Sequence, residues 1–313
     1  MSIDLEVGLR ARVTVPGSSA NLGPGFDTLG LAVGIYDTVE VEVTGSGLEV
    51  EIFGEGAEDL PRDSSHLVVK AINSSLHAAD VHAPGLKVTC HNNIPQSRGL
   101  GSSASAAVAG VVAANTLAGS PLSTDEVIQL SSAFEGHPDN VAPALVGGAT
   151  VSWTRDDVPG PATARLRLHE RVVPVVAIPD TELSTHVARG VLPAEVPHAV
   201  AAAQAGRAAL LVHALAEDPA LLPAATRDWL HQEPRAVTMP ASAALVAGLR
   251  ERGHAAVVSG AGPTVLALCD GVQAAEHATE AARALTADGA AAWRVLVPCV
   301  AVDGVRVESL HHG

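Results

Sequence analysis

Hydrophobic positions along the chain recur with a period of two in several short stretches and with a helical period between them, which predicts a layered fold of strands and helices. A short strand is expected over 10–16. Val39, Val41 and Val43 then alternate with Glu40 and Glu42, the pattern of a strand with one wet face. Gly45-Ser46-Gly47 turns the chain into a strand carrying Leu48, Val50 and Ile52. Residues 65–79 predict a helix burying Leu67, Val68, Ala71 and Leu76, and Leu86, Val88 and Cys90 a further strand. A small-residue helix follows from Ala106 to about Leu117, with two serines at its cap. The next helix spans 124–135, capped by Ser123 or Thr124, with Asp125 and Glu126 in its first turn. Ala149, Val151 and Trp153 predict a strand, and the polar, proline-bearing segment 155–164 is the expected domain boundary. Beyond it come a buried strand over 172–178, helices over 195–217, 240–252 and 272–287, and two strands around Gly260-Ala261-Gly262-Pro263. Closing strands are expected over 293–300 and 305–307.

With 313 residues the chain has room for one large or two moderate domains. A hydrophobic content of 47% and a charged content of 17% mark it as globular. Aromatic residues make up 2%, so Ala, Val and Leu must fill the core. A net charge of −15 argues against nucleic acid or an anionic membrane as partner. Any bound polyanion must be met by backbone amides, a metal or arginine, because the lysines are Lys70 and Lys87 alone. Cys90, Cys269 and Cys299 are far apart and lack zinc-site spacing, which fits buried thiols in a reducing cytosol. No charged-then-apolar leader and no long apolar run is evident, so a cytoplasmic protein is expected.

The stretch Asn92-Asn93-Ile94-Pro95-Gln96-Ser97-Arg98-Gly99-Leu100-Gly101-Ser102-Ser103-Ala104-Ser105 leads from a strand through a glycine-rich loop into a helix. The first amides of that helix lack intrahelical partners, and the helix dipole places partial positive charge there, so the junction can hold a phosphate. Gly99 and Gly101 would let the backbone come close to a ligand. The Gly-Lys-Ser/Thr ending of a P-loop is missing, and no acidic residue follows at the distance a dinucleotide fold requires. Three further loops, 17–27, 135–140 and 259–264, are also polar, glycine-bearing and set between apolar elements. Four such loops converging at one end of a layered fold would make a site.

Residues 95–104 resemble the phosphate loop of the GHMP small-molecule kinases. The run Pro16-Gly17-Ser18-Ser19-Ala20-Asn21-Leu22-Gly23-Pro24-Gly25-Phe26-Asp27-Thr28-Leu29-Gly30 resembles the first motif of the homoserine kinase branch, and 135–143, 184–193, 233–235 and 259–264 agree with it. The resemblance implies an α+β, two-domain GHMP kinase fold: a ribosomal S5 domain 2-like N-terminal domain over 10–160 and a ferredoxin-like C-terminal domain over 166–308. It implies a homodimer that uses ATP and Mg²⁺ to phosphorylate the hydroxyl of L-homoserine, a step towards threonine. Pro95, Gln96, Ser97, Arg98, Gly99, Leu100, Gly101, Ser102, Ser103, Ala104 and Ser105 would bind the nucleotide. Ser102 or Ser103 with Glu135 would hold the metal. Asn21, Asp27, His137, Arg189 and Arg235 would bind homoserine, with Asp27 on the ammonium and the arginines on the carboxylate. Asp139, Asn140, Thr185 and Arg189 would act at the reacting hydroxyl, with the γ-phosphate as the proton sink. Ser65-His66 departs from the family where an asparagine often lies near adenine. Two other readings remain: a related kinase acting on a mevalonate-like, sugar or diphosphocytidyl alcohol, and a nucleotide-binding regulator without turnover. Two arginines with Asp27 favour an amino acid, and the presence of Glu135 and the glycine loop favours turnover.

Overall fold

In a computed structural model, which describes residues 3–156, 160–287, 289 and 291–309, the chain builds two large sheets and a two-stranded parallel pair, Ile3–Asp4 with Val81–His82. The first has seven strands. Its path runs from Arg306–Ser309 through Arg10–Ala20, Leu29–Thr44 and Gly85–Asn92 to Gly47–Gly54, with Ala149–Thr154 and then Pro161–Leu166 joined to the start of Leu29–Thr44. Pairing is antiparallel except between Gly47–Gly54 and Gly85–Asn92. The alternation read from Val39, Val41 and Val43 holds: these valines are buried, while Glu40 and Glu42 face out and pair with Arg12 and Arg10. Helices Leu67–Ala78, Ser102–Leu117 and Thr124–Glu135 cover the inner face, where Val13, Val41, Val88, Ile72, Val108 and Val111 share a core.

The second sheet has four antiparallel strands in the order Ala255–Val258, Val265–Asp270, Val172–Pro179, Trp293–Leu296. Helices Pro240–Glu251 and Val272–Thr286 pack on it through Leu245, Leu249, Ala278 and Ala282. A shared cluster joins the two halves: Leu22, Leu31, Ile94 and Leu100 pack with Val176, Ile178, Leu211 and Leu266. The phosphate loop is thus pinned from below by Ile94 and Leu100, both fully buried.

The structure differs from the sequence reading at several places. Segment 155–164 is not a simple linker: Pro161–Leu166 is a strand of the first sheet, paired with Ala149–Thr154, while 157–159 lie outside the described residues. Likewise 306–309, placed within the C-terminal span, return to the first sheet and cover the edge of Arg10–Ala20. Both pieces satisfy backbone groups that an open edge would leave unpaired. The strand expected over 10–16 continues to Ala20, with a register shift between Pro16 and Gly17. Proline has no N–H to give the ladder, so a bulge there is the expected response. The strand expected over 293–300 stops at Leu296, and Val300 bridges to Val33 of the first sheet. Cys90 and Cys269 are buried, but Cys299 is exposed. His198–Ala216 reaches a mean hydropathy of 1.4 and is, among the described residues, long and apolar enough to cross a membrane by length and composition. Its Gln204 is buried, however, and donates to Pro24 O at 3.0 Å and to Asp228 at 2.7 Å.

Helix Ser102–Leu117 meets Leu67–Ala78 at Gly110, where an added Cβ would lie 2.5 Å from Val68 O and 2.7 Å from Ala71 Cβ. Alanine would ordinarily favour a helix over glycine by about 1 kcal/mol. Here it would force two backbones apart. Gly110→Ala should therefore lower stability by about 1–3 kcal/mol in urea denaturation, whereas a gain would contradict the close contact.

Candidate active site

The four loops do converge. They line a cavity of about 520 Å³ that receives Asn21, 95–103, Glu135, His137, Asp139, Asn140, Thr185, Arg189, Arg235 and Gly260–Gly262. The loops hold one another directly. Ser18 N donates to Leu100 O at 2.9 Å, and Ser18 Oγ donates to Asn140 Oδ1 at 3.0 Å. Ser259 Oγ lies 2.6 Å from Gly99 O and 2.8 Å from Ser19 Oγ. Glycine is required at two points by this packing itself. An added Cβ on Gly99 (φ +74°) would sit 2.3 Å from Ser259 O, and one on Gly101 (φ +68°) would sit 2.2 Å from Ser18 Oγ. Access for a ligand is a second consequence of the same small residues.

The helix opens earlier than the sequence suggested, at Ser102. Gly101 is its N-cap, in left-handed conformation and without a side-chain cap bond, so the two serines are the first helical residues and not caps. The first intrahelical bond is Ser105 N to Gly101 O at 2.8 Å. The amides of Ser102, Ser103 and Ala104 therefore precede it and have no partner within the helix. Leu100, Ala104 and Ser105 are buried; Ser105 Oγ donates to Pro16 O at 2.9 Å and its amide to Gly101 O, so Ser105, expected on the nucleotide, is used up within the protein, while Leu100 and Ala104 offer a ligand backbone alone. Arg98 is committed elsewhere: Nε donates to Pro179 O at 3.1 Å, Nη2 to Asp180 O at 2.8 Å and Nη1 to Gln96 O at 2.7 Å. It clasps the second sheet to the loop. Ser97 (φ +53°) adds a second link, its carbonyl accepting Leu183 N at 2.9 Å. Pro95 and Gln96 remain on the cavity wall.

Around the helix terminus lie several acids. Burial raises the pKa of Glu135, and a side-chain hydrogen bond with Ser103 partly offsets that rise. A carboxylate and a hydroxyl held together are donors suited to a hard divalent cation. Asp139 is buried and sits 2.5 Å from His137 Nδ1. Burial alone would lower the His137 pKa, but the bond and charge of Asp139 outweigh it, and the net shift is upward. Asp27 carries a left-handed φ of +54° and forms a two-pronged ion pair with Arg189, at 2.6 and 3.1 Å. Asn21 does not touch the Asp27 carboxylate. Its Oδ1 accepts Asp27 N at 2.9 Å and its Nδ2 donates to Gly260 O at 2.8 Å, so both its polar ends are used in holding the turn. Arg235 is 1% exposed, with Nε on Ala188 O at 3.1 Å and Nη1 3.0 Å from His231 Nδ1. Burial lowers its pKa to about 10. The Phe26 ring supports both guanidinium groups, at 5.4 Å for Arg189 and 5.3 Å for Arg235, and stacks on His231 at 5.0 Å. Thr185 opens the short helix Thr185–Gly190 and is exposed at the cavity rim.

Two family models match, the GHMP kinases N-terminal domain over residues 66–148 and the GHMP kinases C-terminal domain over 199–290. A homoserine kinase of Corynebacterium aurimucosum is 61% identical over 86% of this chain and 89% of its own. A homoserine kinase of Rhodococcus erythropolis is 50% identical over 99% of both chains. The crystal structure of a homoserine kinase from Cytophaga hutchinsonii superimposes with a TM-score of 0.87 at 27% identity, covering 96% of this chain and 97% of that one. The chain belongs to the homoserine kinase family of GHMP kinases.

Members of this family are ATP-dependent kinases. Three residues around the site's side chains were not singled out by the sequence reading. Phe26 and His231 form the platform under the arginines. A phenylalanine at the end of a polar loop, in a chain with three, was the available signal. Asp37, buried on the cavity wall, left no local trace because it sits in an alternating strand. His66 lies at the same end, buried, with Nδ1 unpaired among the described residues.

The clasp gives a test of domain coupling. Arg98→Met removes the bonds to Pro179 O and Asp180 O and should weaken ATP binding about tenfold, as a charged hydrogen-bond group is lost on each side. Isothermal calorimetry with a non-hydrolysable ATP analogue measures it, and unchanged affinity would show that the clasp does not position the loop.

Proposed function

We propose that this chain transfers the γ-phosphoryl group of ATP to the side-chain hydroxyl of L-homoserine, giving O-phospho-L-homoserine. The observation that carries the reading is the set of charges at one cavity: Arg189 and buried Arg235 line it together with the helix start at Ser102 and Ser103, and Arg189 pairs with Asp27 behind that lining. A homoserine zwitterion needs an anion for its ammonium and planar donors for its carboxylate, and Asp27 with the two arginines supplies them. The names of the relatives support the same acceptor. A sugar or a mevalonate-like alcohol would leave Asp27 without an ammonium partner. Turnover, as opposed to a regulatory role, is supported by the retained Glu135 and glycine loop.

Phosphoryl transfer depends chiefly on alignment and on neutralising charge. The helix amides hold the phosphates in a fixed field. Glu135, with the Ser103 hydroxyl, would hold Mg²⁺, which when bound neutralises phosphate charge. Arg189 and Arg235 fix the carboxylate, so the substrate hydroxyl is presented from a set direction. Asn140, anchored by Ser18, and Thr185 lie where they can orient that hydroxyl. Asp139 is engaged with His137, which keeps the histidine fixed against the substrate. The γ-phosphate itself takes the hydroxyl proton. A cytoplasmic homodimer completes the proposal.

Glu135→Gln should lower kcat roughly 10²-fold in a coupled ADP-release assay with homoserine, with the melting temperature held. Wild-type turnover would remove Glu135 from the metal site. Arg189→Met should raise the homoserine KM about 10²-fold while the ATP KM stays within about twofold. Equal losses for both substrates would instead indicate a collapsed loop.

A further inference from the structure

Asp37 lies outside every role described so far. It sits in the middle of Leu29–Thr44, is 6% exposed, and borders the cavity. Its Oδ1 accepts two successive backbone amides, Asn93 N at 2.6 Å and Ile94 N at 2.8 Å. These residues join the end of strand Gly85–Asn92 to the phosphate loop, and the Asn93 side chain adds a bond to Tyr36 O at 2.8 Å. The loop therefore leaves the sheet at a point fixed by one carboxylate oxygen. Ile94, directly after it, is fully buried and fixes the other side.

We propose that Asp37 is a positioning residue for the nucleotide: its ionised carboxylate grips the amides of Asn93 and Ile94 and so sets the direction in which the phosphate loop reaches Gly99–Ala104. The proposal rests on the reading of this cavity as the ATP site. Hydrogen bonds to a charged acceptor are stronger than those to a neutral one. Apparent affinity falls with the fraction of molecules whose loop is in the binding arrangement. A weaker grip at residues 93–94 is thus read out as weaker ATP binding, with the homoserine end, built on other loops, left alone.

The ionised state comes at a cost to the fold. Burial pushes the pKa of Asp37 from 3.8 up to about 6, the two amide bonds oppose that shift, and the charge of Glu55 adds to it. Glu55 is itself paired with Arg294 of the second sheet at 3.1 Å. The Cys90 thiol, from the neighbouring strand, is pushed up to about 12, mainly by burial and also by Asp37, and stays neutral. The pKa of His66, at the same end of the cavity, is lowered by burial and by the charge of Arg62. Because the folded pKa of Asp37 is raised, its stabilising contribution is complete below pH 3.8 and is lost as the pH rises through about 6. At neutral pH, Asp37→Asn keeps an acceptor for the two amides and removes that cost.

The test measures binding of the magnesium complex of a non-hydrolysable ATP analogue by calorimetry from pH 5 to 8, without homoserine, so the identity of the acceptor does not enter. Asp37→Asn should melt at a higher temperature than wild type at pH 7.5, yet bind the analogue about fivefold more weakly. Asp37→Ala, which loses the acceptor altogether, should bind more weakly still. Below pH 6 the wild type should fall to the affinity of Asp37→Asn, so the two profiles converge, and the change in the analogue's own protonation cancels between them. Wild-type affinity for Asp37→Asn at pH 7.5, or profiles that stay parallel across the range, would overturn the proposal. If Asp37→Ala does not fold, the comparison of wild type with Asp37→Asn decides alone.

Discussion

In the ATP reading of the cavity one constraint governs the rest: a chain of net charge −15 would hold a triphosphate where the lining arginines are already occupied. Arg98 is bound to backbone carbonyls, Arg189 to Asp27, and Arg235 to Ala188, His231 and Gly260. Lys87 pairs with Glu49 and Glu51 on the outer edge of the first sheet. For phosphates the proposed site would then offer backbone, together with the metal that Glu135 and Ser103 would hold. The left-handed Gly101 and the unpaired amides after it provide fixed dipoles that carry no net charge and need no counterion.

Fixed dipoles work only if the loop that presents them is rigid, and much of the surrounding structure contributes to that rigidity. Leu100 and Ile94 are buried in the cluster that joins the two sheets. Ser18, Ser259 and Arg98 tie the loop to the other motifs and to the second sheet. Rigidity achieved this way requires backbones to pass within a hydrogen bond of each other, which is why Gly99 and Gly101 tolerate no side chain. At the amino-acid end the same economy appears in another form: Asp27 and Arg189 satisfy each other, so neither charge is left unpaired. A zwitterion can replace that pair charge for charge, whereas a substrate with one charge cannot.

Much of this was legible in the sequence because it was local. Helix Thr124–Glu135 was read with both ends correct, since Ser123 and Glu126 form a capping box. The four loops were found from their glycines and polar residues, and they do meet. The start of helix Ser102–Leu117 was missed because its first turn is serine-rich, and serines there read as caps, whereas the N-cap is the left-handed Gly101. Strand Pro161–Leu166 was missed because it is short, half-exposed and opens on a proline, and its place is set by hairpin pairing with the preceding strand Ala149–Thr154. Roles set by long-range contacts were the least visible. Asn21 holds Asp27 through its backbone amide, Arg98, expected on the nucleotide, is bound to the second sheet, and Asp37 left no signal at all.

A crystal structure with a bound magnesium–ATP analogue tests the central claim most directly. Phosphate oxygens should lie about 3 Å from the amides of Ser102, Ser103 and Ala104, with Arg98 still on Pro179 and Asp180. Phosphates held instead by a released Arg98, with those amides facing water, would contradict it.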